Sequence, residues 1–180
     1  MAIDLDRWVP LAEVARPHGV RGEVRLRLYN EDSDLLLDAE EVLVRLKEGD
    51  EHEVSVDRAR RADEAILMKL HSIDDRDRAD EIRGAVLSMR RRDFPALEPG
   101  EFYHCDAEGA SVLVRDDGGA ERAWGTITAF RSYPTVEVMV IAREGGGVSE
   151  VPLLDQFVVE FDVEGGRIVL RDIEAFEERG

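Results

Sequence analysis

The chain has 180 residues, 43 % apolar and 36 % charged, which is enough apolar material for a packed core in one large domain or two small ones and excludes a disordered polypeptide. Its formal net charge of −17 opposes binding of bare nucleic acid by the molecule as a whole and favours cationic proteins as partners. One cysteine, Cys105, excludes an intrachain disulfide, the acidic start MAIDLDRWVP lacks a secretory signal pattern, and no apolar run approaches the ~20 residues of a bilayer span, so a cytoplasmic protein with no membrane contact is expected.

In chain order, most of the sequence alternates with period two, the signature of half-buried strands. After LAEVAR, the stretch GEVRLRLY sends Val24, Leu26 and Leu28 to one face and Arg25, Arg27 and Tyr29 to the other. EVLVRLK, HEVSVDRA and EAILMKL repeat the pattern, separated by EGDE and RRADE. DDRDRADEIRGAVL breaks it: Ala79, Ile82 and Arg83 fall at helical spacing, Asp74 or Asp75 is placed as N-cap, and Gly84 is placed to stop the helix before a strand from Ala85 to about Arg90. RRRDFPALEPGE, with two prolines, a glycine and a charge run, marks a domain boundary. Alternation then resumes in ASVLVRDD, AWGTITAF, TVEVMVIA, SEVPLL and GRIVLRD, with hairpin signals at DDGG, REGGG and EGG, and DIEAFEERG closes the chain with a turn or two of helix. The reading is a mainly β protein: two small antiparallel β-barrels joined by a short linker, with one or two short helices. The domains are placed at 8–91 and 101–176, with the linker at 92–100.

Charge divides along the same line. Residues 1–92 carry 17 Lys and Arg against 22 Asp and Glu, whereas residues 93–180 carry seven against 19, so the acidity is concentrated in the second half.

ARPHGVRGEVRL is the stretch densest in special residues. Gly19 and Gly22 lack the third glycine of a dinucleotide fingerprint, no lysine with serine or threonine makes a P-loop, and a strand follows instead of a helix N-terminus. Pro17, Gly19 and Gly22 are therefore read as turn residues between two strands, with Gly84 in the same structural class. His18, His52, His71 and His104 are scattered, with no HxH, HxxxH or CxxC spacing, so no metal site, cofactor site or catalytic residue is assigned and an enzyme is not expected. An extended His104–Cys105 pair would face opposite ways, which argues against a dyad.

Two groups remain as partner-binding candidates. Phe102 and Tyr103, beside the linker, point opposite ways if extended, one toward the core and one outward. Arg21, Arg25 and Arg27, together with Arg16 and the run Arg90 to Arg92, form a basic face for RNA if they come together.

Taken together, four motifs resemble the bacterial ribosome maturation factor RimM family. ARPHGVRGEVRL is similar to its N-terminal signature. LHSIDDRDRADEIRGAVLSM, with Asp75, Ala79, Glu81, Arg83 and Gly84 on pattern, resembles the segment closing its first domain. LEPGEFYHCDAEGASV resembles the entry into its PRC-barrel, and VEVMVI followed by EVPLLDQFVVEFDVEGGRIVL resembles the remainder. The resemblance runs from about residue 9 to 172. It implies an N-terminal six-stranded barrel, a C-terminal PRC-barrel, and a non-enzymatic factor for late assembly of the small ribosomal subunit. The implied partners of this monomer are free or immature small subunits, head-region ribosomal protein nineteen and small-subunit rRNA, whose processing it aids. The family's paired aromatic motif, usually Tyr-Tyr, falls on Phe102 and Tyr103. Val136-Glu137 and Pro152-Leu153 depart from its usual Asn-Asp and Pro-Phe. The alternative is a PRC-barrel adaptor for another basic protein or an RNA-processing complex.

Overall fold

Alternation in the first half of the chain closes into a barrel. In the computed structural model, which describes residues 3–177, β1 (Trp8–His18), β2 (Glu23–Leu28), β3 (Glu41–Arg45), β4 (Glu51–Ala62), β5 (Ala65–Leu70) and β6 (Val86–Arg90) join in the order β1-β2-β5-β4-β3-β6, every neighbouring pair antiparallel. One side of each strand fills the interior: Val14, Val24, Leu26, Ile66, Met68 and Leu87 are at most 1 % exposed. Each such side chain contributes about 1.5–3 kcal/mol by leaving water. Irregular register between Pro10 and Ala12 and between Val14 and Arg16 bends β1, so that one strand pairs with both β2 and β6. Helix α1 (Arg76–Glu81) begins at Asp75, whose carboxylate accepts from the Arg78 N–H at 2.9 Å, and buries Ala79 completely. Beyond it Gly84 takes φ +81°, and its N–H donates to the Val14 carbonyl at 2.8 Å, leading the chain into β6 beside β1.

This unit spans Asp4–Ala96; a second begins at Leu97. It contains α2 (His104–Ala107), β7 (Ser111–Arg115), β8 (Glu121–Tyr133), β9 (Val136–Arg143), β10 (Val148–Pro152), β11 (Val158–Asp162), β12 (Arg167–Leu170) and α3 (Glu174–Glu177). Its sheet runs β10-β9-β8-β7-β12-β11 around a core of Val112, Trp124, Ile127, Met139, Ile141, Ile168 and Leu170.

The mainly β class with two six-stranded sheets and short helices follows the sequence reading. Five details differ. The second sheet has no ladder between β10 and β11, so its hydrogen bonding does not close as the first barrel's does, and β12 runs parallel to β7 where antiparallel pairing was expected. β11 was not anticipated, because Val158, Val159, Glu160 and Phe161 are all half-buried and the stretch carries no in–out contrast. His104 and Cys105 begin a helical turn instead of continuing an extended segment. Phe102 and Tyr103 are both half-buried, not divided between core and surface.

Candidate functional site

The β1–β2 connection is built against the loop that follows β5. Gly19 and Gly22 take φ +65° and +76°. At Gly22 a Cβ would lie 1.9 Å from the Ile73 carbonyl oxygen, so only glycine permits that approach. The Lys69 ammonium fastens the same loop, donating to the Ile73 carbonyl and pairing with Asp74 at 2.9 Å. That hydrogen bond and charge hold the Asp74 carboxyl below its ordinary pKa. Arg76 donates to the Gly19 carbonyl at 3.3 Å. Pro17, within β1, faces Val24 of β2. The turn itself displays Val20, 73 % exposed, and the exposed Arg21, which has no ion-pair partner among the described residues.

Register then sorts the charges. Directly opposed residues share a face of the sheet, and the pairings place Arg16, Arg25, Leu67 and Arg60 in one row across β1, β2, β5 and β4. His18, Glu23, Lys69 and Arg58 form the next row. Arg27 faces Glu13 and binds it at 2.7 Å. Glu23 receives Arg58 at 2.7 Å and Arg60 at 3.6 Å. Burial pushes the Glu23 carboxyl up, but the Arg58 hydrogen bond and the charges of Arg58, Arg60 and His18 outweigh it, leaving its pKa below the ordinary value. Arg16 and Arg25 sit directly opposite each other and have no ion-pair partner among the described residues. Leu67, although on this outer face, is 2 % exposed between Arg25 and Arg60; arginine stems are long enough to cover it while their heads stay in water.

The second unit presents a different surface. The Phe102 ring lies 4.6 Å from Phe161, 5.6 Å from Phe130 and 5.8 Å from His104. His104 stacks on Phe130 at 4.4 Å and 15°, and its Nε2 meets Glu137 at 2.7 Å. This half-buried cluster gathers α2, β8, β9, β11 and the segment before α2 at one place. Elsewhere on the sheet Glu121 is held by Arg115 at 2.7 Å and by Arg167, which also binds Glu160 at 2.8 Å. The Arg115 and Arg167 hydrogen bonds lower the Glu121 pKa, and the same contact with Glu121 raises that of Arg167.

The sequence candidates therefore separate. Arg25 and Arg16 share a face, Arg27 lies on it but is neutralised, and Arg21 is in the adjoining turn. Arg90 to Arg92 do not join them: Arg90 lies 4.1 Å over the Trp8 ring and pairs with Glu53, Arg91 is 9 % exposed, and Arg92 pairs with Asp6 at 2.5 Å. Sequence reasoning missed Arg58 and Arg60, whose only available signal was alternation in HEVSVDRARR, and Glu137, whose approach to His104 depends on a pairing of distant segments. Among the described residues no group of three or more His, Cys, Asp or Glu is placed to hold a metal ion, and no helix is long and apolar enough to cross a membrane.

Comparison with known proteins gives this surface a family. Residues 9–94 match the model of the RimM N-terminal domain. The chain is 44 % identical over 168 residues to a ribosome maturation factor RimM of Sorangium cellulosum, covering 93 % of this chain and 96 % of that one. It is 36 % identical over 163 residues to a ribosome maturation factor RimM of Rubrobacter xylanophilus, covering 91 % and 93 %. A crystal structure of a 16S ribosomal RNA processing protein RimM of Pseudomonas aeruginosa is similar at 23 % identity and TM-score 0.44, covering 92 % of this chain and 97 % of that one. With that identity sustained across both units, the chain belongs to the ribosome maturation factor RimM family.

Proposed function

We propose that this protein is a monomeric cytoplasmic accessory factor for late assembly of the small ribosomal subunit. It binds free or immature subunits through head-region ribosomal protein nineteen and promotes processing of the small-subunit rRNA, by binding and release and without catalysis. The observation that carries the reading is the partition of chemistry between the units. The second unit is strongly acidic, with Glu98, Glu101, Glu108, Asp116, Asp117 and Glu150 all exposed, and carries the half-buried aromatic cluster around Phe102. Exposed acidic groups on a unit that also carries aromatic anchors suit a cationic ribosomal protein: rings supply contact area, and carboxylates steer the encounter. The first unit carries the basic face suited to rRNA, with Arg21 and Arg25 free of ion pairs among the described residues and Arg27 held by Glu13. The domain limits 8–91 and 101–176, joined through 92–100, assign these two tasks to separately folding parts.

Sucrose-gradient sedimentation of cell lysate tests the reading. The protein is expected to travel with free small subunits and to be absent from translating ribosomes. Replacing Phe102 and Tyr103 together by alanine is expected to shift it to the top of the gradient while circular dichroism remains that of the folded chain. Equal distribution over all ribosomal fractions would favour the adaptor alternative, and normal sedimentation of the folded double variant would remove the aromatic pair from the binding surface.

A further inference from the structure

Taking the subunit-binding reading as its basis, we infer that the outer face of β1, β2, β5 and β4 is a phosphate-binding ridge for double-helical RNA, formed by Arg16, Arg25 and Arg60. Like charges directly opposite in an antiparallel pair destabilise a sheet, yet Arg16 opposes Arg25 and the described residues provide neither with a counter-charge. Within the two rows and the adjoining Glu13–Arg27 pair, six Arg and Lys face two carboxylates, with Asp74 outside the rows taking up Lys69, in a chain of net charge −17. Both carboxylates are already engaged, Glu13 by Arg27 and Glu23 by Arg58 and Arg60. The repulsion between Arg16 and Arg25 is therefore left without a local counter-charge among the described residues. An anionic partner converts that repulsion into binding.

The form of the face selects among anions. Neighbouring strands lie about 4.8 Å apart, so the row from Arg16 to Arg60 extends for about 15 Å, enough to meet several backbone phosphates. Guanidinium forks match phosphate oxygens in paired hydrogen bonds, and the row is built from arginine. Single-stranded nucleic acid is held by rings that stack on bases, and these rows contain no Phe, Tyr or Trp; Tyr29 lies beyond the end of β2. A ridge of forks without stacking rings suits the backbone of an A-form helix, which is read by phosphate contact and shape. Leu67 is covered between Arg25 and Arg60, whose stems are long enough to lie over it while their heads reach solvent, that of Arg60 lying 3.6 Å from Glu23.

The test uses the full chain, a fluorescently labelled 16-base-pair RNA of arbitrary sequence, and anisotropy between about 50 and 200 mM salt. The triple variant Arg16→Gln, Arg25→Gln, Arg60→Gln is expected to bind at least tenfold more weakly at the lower salt. The slope of log affinity against log salt should be shallower by about 2–3, the value for three lost phosphate contacts. A control triple of equal charge change in the same unit, Arg45→Gln, Arg83→Gln, Arg92→Gln, is expected to retain the parent slope. The ridge triple should also unfold no more easily than the parent, since its removal relieves the Arg16–Arg25 repulsion. Equal losses in both triples would reduce the effect to net charge and overturn the ridge. Tighter binding of a 16-nucleotide single strand, or competition by polyglutamate as effective as by duplex RNA, would overturn the choice of double-helical RNA. Because the Phe102, Tyr103 double variant reports subunit association and leaves these arginines in place, failure of the ridge and failure of the subunit reading give different results.

Discussion

Gly22→Ala isolates the geometry that supports the basic face. Alanine at φ +76° carries a left-handed penalty of about 1–2 kcal/mol. Its Cβ would also lie 1.9 Å from the Ile73 oxygen and 2.6 Å from the Ile73 carbonyl carbon, distances at which backbone must retreat. The backbone on both sides of Ile73 is not free to move: the Ile73 N–H donates to the Leu70 carbonyl at 3.2 Å and the Ile73 carbonyl accepts from Lys69. Loosening one such hydrogen bond adds about 1 kcal/mol, so the total is about 2–3 kcal/mol. Gly19→Ala is the internal control, with φ +65° but nothing within 4 Å of the added atom, and only the left-handed penalty applies. A domain stable by about 5–15 kcal/mol survives either change. Trp8 lies in the first unit and Trp124 in the second, so urea unfolding in a Trp124→Phe background follows the barrel alone. Gly22→Ala is expected to lower the midpoint by about 1–2 M, and Gly19→Ala by about half as much or less. If the two variants unfold together, close approach of the two loops is not what requires glycine at position 22, and the reasoning fails.

Two further outcomes follow from local chemistry. Asp75→Ala removes the carboxylate that caps α1 and is expected to lower barrel stability by about 1 kcal/mol in the same urea assay, with Asp75→Asn losing much less. Acid should weaken both units. Glu23, Asp74 and Glu121 all ionise more readily in the folded chain than their ordinary values of 4.5, 3.8 and 4.5, so their contribution is complete at neutral pH and is lost as pH falls below those values through the folded-state pKa. Glu121→Gln should flatten this loss in the second unit, read from Trp124 fluorescence in a Trp8→Phe background. An unchanged acid profile would show that the Arg115–Glu121–Arg167 network does not couple to folding.

Local signals carried the fold further than the site. The first barrel was legible because strands such as β2 alternate cleanly, Val24, Leu26 and Leu28 inward with Arg27 outward, and because α1 announces itself by an Asp75 cap and a single buried face at Ala79. β11 was not legible, since every side chain from Val158 to Phe161 is half-buried and alternation vanishes when both faces are partly covered. Nor was the parallel β7–β12 pair, which joins segments separated by four intervening strands. The basic face failed for a related reason. Arg25 and Arg27 share a strand face in any reading, but whether each is neutralised depends on the strand alongside: Glu13 lies opposite Arg27, whereas Arg16 lies opposite Arg25. The register irregularity between Val14 and Arg16 puts one arginine beside an acid and the other beside a second arginine, and no short-range pattern reports such a shift.

That register shift also bears on how an acidic chain engages a ribosomal particle on the proposed reading. A uniformly acidic molecule would be steered to cationic protein and driven from every RNA surface around it, so capture of a ribosomal protein embedded in rRNA would be opposed at each approach. A chain whose net negative charge is concentrated from residue 93 onward, and whose Arg16 and Arg25 before it have no ion-pair partner among the described residues, carries both signs. Approach in the wrong orientation then sets carboxylates against phosphates and arginines against a basic protein. This repulsion selects the docking pose without requiring either contact to be tight. Weak contacts that are strong only in combination also allow departure, because once maturation withdraws one of the two surfaces, the other alone cannot retain the factor.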